Sequence, residues 1–323
     1  MSVWRRPGGF ASMRVGRRVL AGVAAALAWV SWGPTATAGP PGTLRFADAG
    51  DGSFHFDTGI LRGRARAGED SKGLSEVTHL PTGQRIDGSV GLLTYYRVFT
   101  QGKRYGDGAR KRPSEARLLE DGSLEVRWPS AADWPLDLKA VYRWAGAAEI
   151  DVETTVRAGR DLPGFEVFLS SYFDPAFPAA SAVVGGAEGG PPVVMTAEPD
   201  AGVWQMFPRD DAAVGLIRDG RWAVPPSPVE WAIRPRTAAP AIFRAHAAKP
   251  IVALLMSEAG GCFAVSASHR GEKHFSAYLS LFGRDVAAGE TVRARCRLAI
   301  CAVSDAEGVL RLWKEFDGPG RAR

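Results

Sequence analysis

Two-residue alternation of apolar and polar side chains recurs along this chain and leaves it little choice but an antiparallel β architecture. In "SLEVRW" (123–128), Leu124, Val126 and Trp128 share one side, and in "LKAVYRW" (138–144) Leu138, Ala140, Tyr142 and Trp144 do the same. "EIDVETTVRA" (149–158) sets Ile150, Val152, Thr154 and Val156 opposite acids and Arg157. Successive side chains of a strand point to opposite faces, so each stretch reads as a strand with one buried face. "GFEVFLSSYF" (164–173) is apolar on both faces and predicts a central strand covered on both sides. "AIFRAHA", "PIVALLMS", "CFAVSAS", "AYLSLFG" and "TVRARCRLAICAV" continue the series, separated by turns such as "EDGS", "WAGAAE", "EAGG" and "AAGE". "SAVVGGAEGGPPVV" (181–194) reads as a Gly/Pro-rich loop. Only "SDAEGVLRLWKEF" (304–316) carries apolar residues at helical spacing behind a Ser/Asp start. The expectation is an all-β fold: one large antiparallel β-sandwich over residues 39–323, with one short C-terminal helix.

Residues 1–38 stand apart. Arg5, Arg6, Arg14, Arg17 and Arg18 surround or precede the apolar "VLAGVAAALAWV" (19–30), and "ATA" (36–38) puts small residues where a signal peptidase reads. The pattern predicts a signal peptide cleaved after Ala38 and an exported chain, periplasmic or secreted. An uncleaved N-terminal anchor is the alternative. The apolar stretch is short for a bilayer span, so no membrane span is expected after cleavage.

The leader also holds the charge excess. The whole chain has 40 Lys+Arg against 35 Asp+Glu, and residues 1–38 contain five arginines and no acid, so the remainder is formally neutral. "GARKRP" (108–113) is too short to form a nucleic-acid stripe, and nucleic acid is not expected as a partner. Cys262, Cys296 and Cys301 allow at most one internal disulfide, and a chain of this length does not need one. Cys296 alternates with Leu298 and Ile300, as a buried thiol would. No spacing matches a metal site, and no cofactor is expected.

Three stretches carry chemistry. "GVWQMFPRDD" (202–211) sets apolar plates beside a fork of polar groups, the pairing that holds a sugar, and makes Trp204, Gln205, Arg209 and Asp210 candidate binding residues. The competing reading is that Trp204 and Phe207 plug a core while Arg209 pairs with Asp210 or Asp211. "YYRVFTQGKRYGDG" (95–108) clusters Arg97, Lys103, Arg104 and Tyr105, cationic groups suited to an acidic sugar such as a uronate or to protecting a sheet edge. Arg104 and Tyr105 are its binding candidates. "SHRGEKHFSAY" (268–278) offers His269, Glu272, His274 and Tyr278 as acid–base candidates, with His269 also a binding candidate, or as a solvated loop. Asp174 and Asp210 are a possible pair of glycosidase carboxylates.

The order of strands and turns from about residue 43 to 316 resembles the galactose mutarotase-like supersandwich of aldose 1-epimerases. The likeness is carried by "LPTGQRIDGSVGLLTYYRVFTQGKRYGDG" (80–108), "WPLDLKAVYRWAGAAEIDVETTVRAGRDLPGFEVFLSSYFD" (134–174) and "FGRDVAAGETVRARCRLAI" (282–300). The resemblance implies a sugar site on a concave sheet face and adds Tyr172 to the binding candidates. It also implies a catalytic His in a His-Pro-Tyr-Phe motif and a Glu on a late strand. Neither is retained: "SSYFD" puts Ser170 where that His would be, and "FAVSASHRGEKH" offers Ser266 or Ala267 for the Glu. A serine hydroxyl titrates too far from neutrality to replace the His unaided. The leading expectation is therefore an exported carbohydrate-binding protein. The alternatives are a carbohydrate-active enzyme (lyase, hydrolase or epimerase) with non-standard catalysts, and a structural or partner-binding envelope protein.

Overall fold

Residues 42–318 are described by a computed structural model, so the expected signal peptide and its expected cleavage after Ala38 lie outside the described residues. The alternating stretches form strands, and their apolar sides meet between two sheets. The back sheet has nine strands, in the order Val193–Thr196, Ala179–Val184, Thr237–Ala245, Val252–Ser257, Thr291–Cys301, Glu149–Ala158, Leu136–Gly146, Leu124–Trp128 and Glu115–Leu118. The front sheet has seven: Trp231–Ile233, Trp204–Pro208, Cys262–Ser268, Ser276–Val286, Leu162–Tyr172, Thr94–Thr100 and Lys103–Arg104. Among the described strands, neighbours run antiparallel except Trp204–Pro208 and Trp231–Ile233, which run parallel. The fold is an all-β sandwich.

Its core follows the alternation. Leu124, Val126, Trp128, Ile150, Val152 and Val156 from the back sheet pack with Val167, Leu169, Leu279 and Leu281 from the front. Burying a large aliphatic or aromatic side chain contributes about 1.5–3 kcal/mol, so this double layer is the main source of stability. The Tyr95 and Thr154 hydroxyls meet across it at 2.6 Å. A third, five-stranded sheet spans Ala47–Asp48, Ser53–Asp57, Leu61–Arg66, Gly73–His79 and Gln84–Arg85. Phe46 and Phe56 tie this sheet's region to the back sheet, their ring centroids 5.8 and 4.8 Å from that of Trp144.

One polar strut also crosses the core. Arg244, on the back-sheet strand Thr237–Ala245, is fully buried and forms no ion pair among the described residues. Its guanidinium donates to the carbonyls of Phe177, Pro178, Ser268 and Ser276 and to the Ser268 hydroxyl, at 2.9–3.2 Å. Burial pulls its pKa down to about 9, which leaves it charged at neutral pH.

Leu162–Tyr172 is the doubly covered central strand expected from its sequence, lying between Ser276–Val286 and Thr94–Thr100. The closing helix, Ala306–Asp317, is capped by the Asp305 carboxylate on the Gly308 N–H, and it lays Val309 and Phe316 on the outer face of the back sheet. Two expectations need correction. The stretch 181–194 is a hairpin rather than a loop: Ser181–Val184 pair with Val193–Thr196, and the Gly/Pro-rich residues form only its turn. A second helix, Asp211–Ile217, follows the front-sheet strand Trp204–Pro208. At seven residues it is too short to establish a helical period in the sequence. Cys262 and Cys296 are buried and Cys301 is half-buried, all as free thiols, and burial pushes the Cys262 thiol up to about 12.

Candidate functional site

Directly paired residues of antiparallel strands share a face, so the register of the front sheet sorts its side chains. Val167, Leu169 and Leu279 face the core, whereas Phe168, Ser170, Tyr172 and Tyr278 face outward. The outward rings wall a cavity of about 220 Å³, and Trp204 and Trp231 from the far edge of the sheet add two more plates. The Trp204 and Trp231 ring centroids lie 6.0 Å apart at 69°. Tyr278, at the floor, stacks on Phe168 at 4.6 Å and meets Tyr172 edge-on at 6.0 Å. Burial pushes both phenols up, Tyr278 well above its ordinary value, so both are neutral hydroxyls at physiological pH.

A β-bulge supplies the cation. Tyr95 and Val98 pair with Leu169 and Val167, so three steps on one strand oppose two on the other. The extra residue breaks the alternation, and the consecutive Tyr96 and Arg97 both line the cavity. Arg97 is 4% exposed and donates from Nη2 to the Ser227 carbonyl at 2.9 Å. Its Nε and Nη1 are buried and have no hydrogen-bond partner among the described residues. The guanidinium carbon sits 5.1 Å from the Tyr96 ring centroid and 5.2 Å from that of Trp222.

The opposite wall comes from a strap, residues 209–230, laid over the outer face. Asp210 starts it, accepting the Ala213 N–H at 2.8 Å and so capping the helix Asp211–Ile217. Further along, Arg221 reaches the sheet: its Nη1 lies 3.0 Å from Glu166 and its Nη2 2.8 Å from Asp219, with the Arg221 and Glu166 side chains fully buried. Burial raises the Glu166 pKa and the Arg221 charge opposes that rise. Gly164, at φ +55, permits this approach, because a Cβ there would stand 2.9 Å from Arg221 Nη2. Trp222 then wedges between Phe99 and Phe168, 4.8 Å from each, and Ser227, Pro228 and Val229 complete the wall. The indole N–H groups of Trp222 and Trp231 are buried without partners among the described residues.

At the mouth, His274 packs edge-on against Trp204 at 5.0 Å, and its Nδ1 is 2.6 Å from Glu272 Oε1. That contact fixes the orientation of the imidazole and turns Nε2 away from the Glu272 carboxylate.

The sequence candidates divide accordingly. Tyr172, Trp204, His274 and Tyr278 line the cavity, and Glu272 orients His274. Others sit elsewhere. Gln205 pairs with Ala267 on the inward face and donates to the carbonyls of Glu198 and Gly202. Alternation alone separates it from Trp204, its neighbour in sequence. Arg209 pairs with Asp210 at 2.8 Å, and Asp210 is committed to its cap. Arg104 lies one layer behind the cavity, clamping the carbonyls of Gly106, Asp107 and Pro226. Tyr105 is buried edge-on against Trp134, and its hydroxyl accepts from Arg160 at 2.9 Å. His269 Nδ1 accepts the Gly271 N–H in its own turn. Of the candidate carboxylates, Asp174 accepts the Ala176 N–H and Asp210 the Ala213 N–H, and neither lines the cavity.

Tyr96, Trp222 and Trp231 had not been singled out. The signal for the two tryptophans was their place, without periodicity, inside the proline-rich, polar stretch 218–233. Of the positions that the resemblance assigns to catalysts, Ser170 is buried and donates to the Thr94 carbonyl at 3.0 Å. Ser266 pairs with Tyr278 beneath the rings.

A hollow of about 320 Å³ beside the closing helix holds Arg297 paired with Glu149 at 2.9 Å, and two still larger ones lie elsewhere. One of about 800 Å³ on the back sheet is a charged ladder whose members pair with each other, Arg117 with Glu125 at 2.7 Å and Arg127 with Asp137 at 2.5 Å. The other, of about 690 Å³, likewise holds Arg85 paired with Asp87 at 2.5 Å. Among the described residues no group of three or more His, Cys, Asp or Glu is placed to hold a metal ion.

The chain matches no family model and, by sequence, no curated protein. Solved structures are similar to it in layout. A protein from Synechocystis sp. PCC 6803 is 11% identical, with 78% of this chain and 96% of that one covered and a TM-score of 0.45. An aldose epimerase homologue from C. elegans is 9% identical over 76% and 96%, with a TM-score of 0.39. A heparan sulfate lyase HepC mutant from Pedobacter heparinus is 8% identical over 80% of this chain and 36% of that one, with a TM-score of 0.45.

Proposed function

We propose that this protein binds a saccharide in the ring-walled cavity on the outer face of its front sheet. The observation that carries the reading is Arg97: a guanidinium 4% exposed, with two nitrogens unpartnered among the described residues, lines a hollow otherwise built of aromatic plates. A buried donor without an acceptor costs roughly 1–3 kcal/mol, and an oxygen-rich ligand removes that cost. Trp204 and Trp231 offer flat apolar faces for sugar C–H groups, while the indole N–H groups and the Arg97 nitrogens supply donors for hydroxyls. At about 220 Å³ the space is below the roughly 300–1,000 Å³ of drug-sized sites, which fits one sugar ring or a chain end.

Calorimetric titration and a glycan array test the reading. Trp204→Ala and Trp231→Ala should each weaken saccharide binding about tenfold or more, consistent with loss of a stacking partner. Binding that persists unchanged in both variants moves the site elsewhere, and no binding to any neutral or acidic saccharide removes the reading.

Turnover is a second reading, favoured by one observation: the His274–Glu272 contact at 2.6 Å presents an oriented imidazole at the cavity mouth. In that reading His274 accepts a proton from the bound sugar, and His274→Ala abolishes glycan conversion without abolishing binding. Conversion at the unaltered rate in His274→Ala and Glu272→Gln eliminates it.

A further inference from the structure

We infer that the sugar taken by this cavity is acidic, a hexuronate whose carboxylate lies against Arg97. The inference rests on the saccharide reading above and deepens it.

The Tyr96 ring is surrounded by cations. Guanidinium carbons of Arg97, Arg110 and Arg104 stand 5.1, 5.5 and 6.0 Å from its centroid. Against these three charges the described residues set one acid within ion-pair reach, Asp70. It is 3.6 Å from Arg110 and its side chain is 54% exposed, where a pair is worth little. Arg97 and Arg104 are held by carbonyl oxygens, which satisfy donors without cancelling charge. The mutual repulsion registers on Arg104, whose pKa is lowered by burial and by the neighbouring Arg97. Arg110 Nε is also buried without a partner among the described residues. One end of the hollow is therefore a positive pole with low exposure, where electrostatic interactions are least screened.

The layering selects the anion. Only Arg97 lines the cavity; Arg104 and Arg110 act from behind Tyr96. One contacting guanidinium matches a singly charged, planar carboxylate, and the two cations behind it add field without contact. A doubly charged phosphate would need a second cation at its surface. The sugar ring then extends from the positive pole toward Trp204 and Trp231, with His274 at the mouth.

Calorimetry on the full chain decides it, with glucuronate and galacturonate set against glucose, galactose and glucose 6-phosphate at low and high salt. The expected result is uronate binding at least tenfold tighter than the matching neutral sugar, with the gap shrinking as salt rises. Arg97→Gln should close the gap. Arg110→Gln, at a more exposed site, should narrow it by about threefold with the fold intact by circular dichroism. Equal affinity for acidic and neutral sugars overturns the charge assignment and leaves the saccharide site standing. Tighter binding of glucose 6-phosphate overturns the carboxylate. Failure of every sugar to bind removes the saccharide reading and this inference with it.

Discussion

The Asp210 carboxylate has two partners, the Ala213 N–H that it caps and the Arg209 guanidinium beside it. The Arg209 hydrogen bond, then the Ala213 N–H, hold its pKa below the ordinary 3.8. A carboxyl whose pKa falls on folding adds stability that is complete well above 3.8 and is lost as pH drops through the folded value. Asp210→Ala should cost about 1 kcal/mol, a melting-point fall of roughly 2–4 °C for a domain of this size. Asp210→Asn should keep most of the cap and flatten the acid limb of the stability profile below about pH 4. A melting series from pH 7 to 3 checks both, and an acid limb identical in Asn and wild type would disprove the linkage. Arg97 follows a different residue-scale rule, since its place depends on a bulge defined only once the partner strand is known.

Between elements, the strap 209–230 is tied to the sheet by a buried ion pair, Arg221 with Glu166, beside the packing of Trp222. Arg221→Met leaves Glu166 buried without its cation, and removing one partner of such a pair costs about 3–5 kcal/mol. Arg221→Met/Glu166→Gln should recover a large part of that loss, measured by denaturant midpoints as a double-mutant cycle. If the double variant is as unstable as the sum of the singles, the two side chains do not act as a pair. Most strands were legible because alternation is local: Ile150, Val152 and Val156 face the core as their spacing required. The strap was not legible, because Trp222, Arg221 and Glu166 meet through a crossing that no local period encodes. "GVWQMFPRDD" shows both sides of this. Its alternation sends Trp204 outward and Gln205 inward, while its mixed chemistry had suggested that they act together.

Across the whole molecule, Arg244 joins the two sheets through four carbonyls and the Ser268 hydroxyl. Arg244→Met leaves the carbonyls of Phe177, Pro178, Ser268 and Ser276 without that donor, at a cost of roughly 3–5 kcal/mol. Arg244→Lys should restore only part, since an ammonium has three donors and no planar fork. Thermal melts of both variants test the strut, and a Lys variant as stable as wild type would show that the fork geometry is dispensable.

The back sheet has a further consequence for how the chain is assembled. Its interior strand Thr291–Cys301 joins Val252–Ser257 to Glu149–Ala158, and among the described strands it comes last in sequence. Without that strand, Val252–Ser257 and Glu149–Ala158 each keep an open edge. Removing residues 291–301 would therefore take out the keystone of the sheet, and its two halves cannot join before this strand is present.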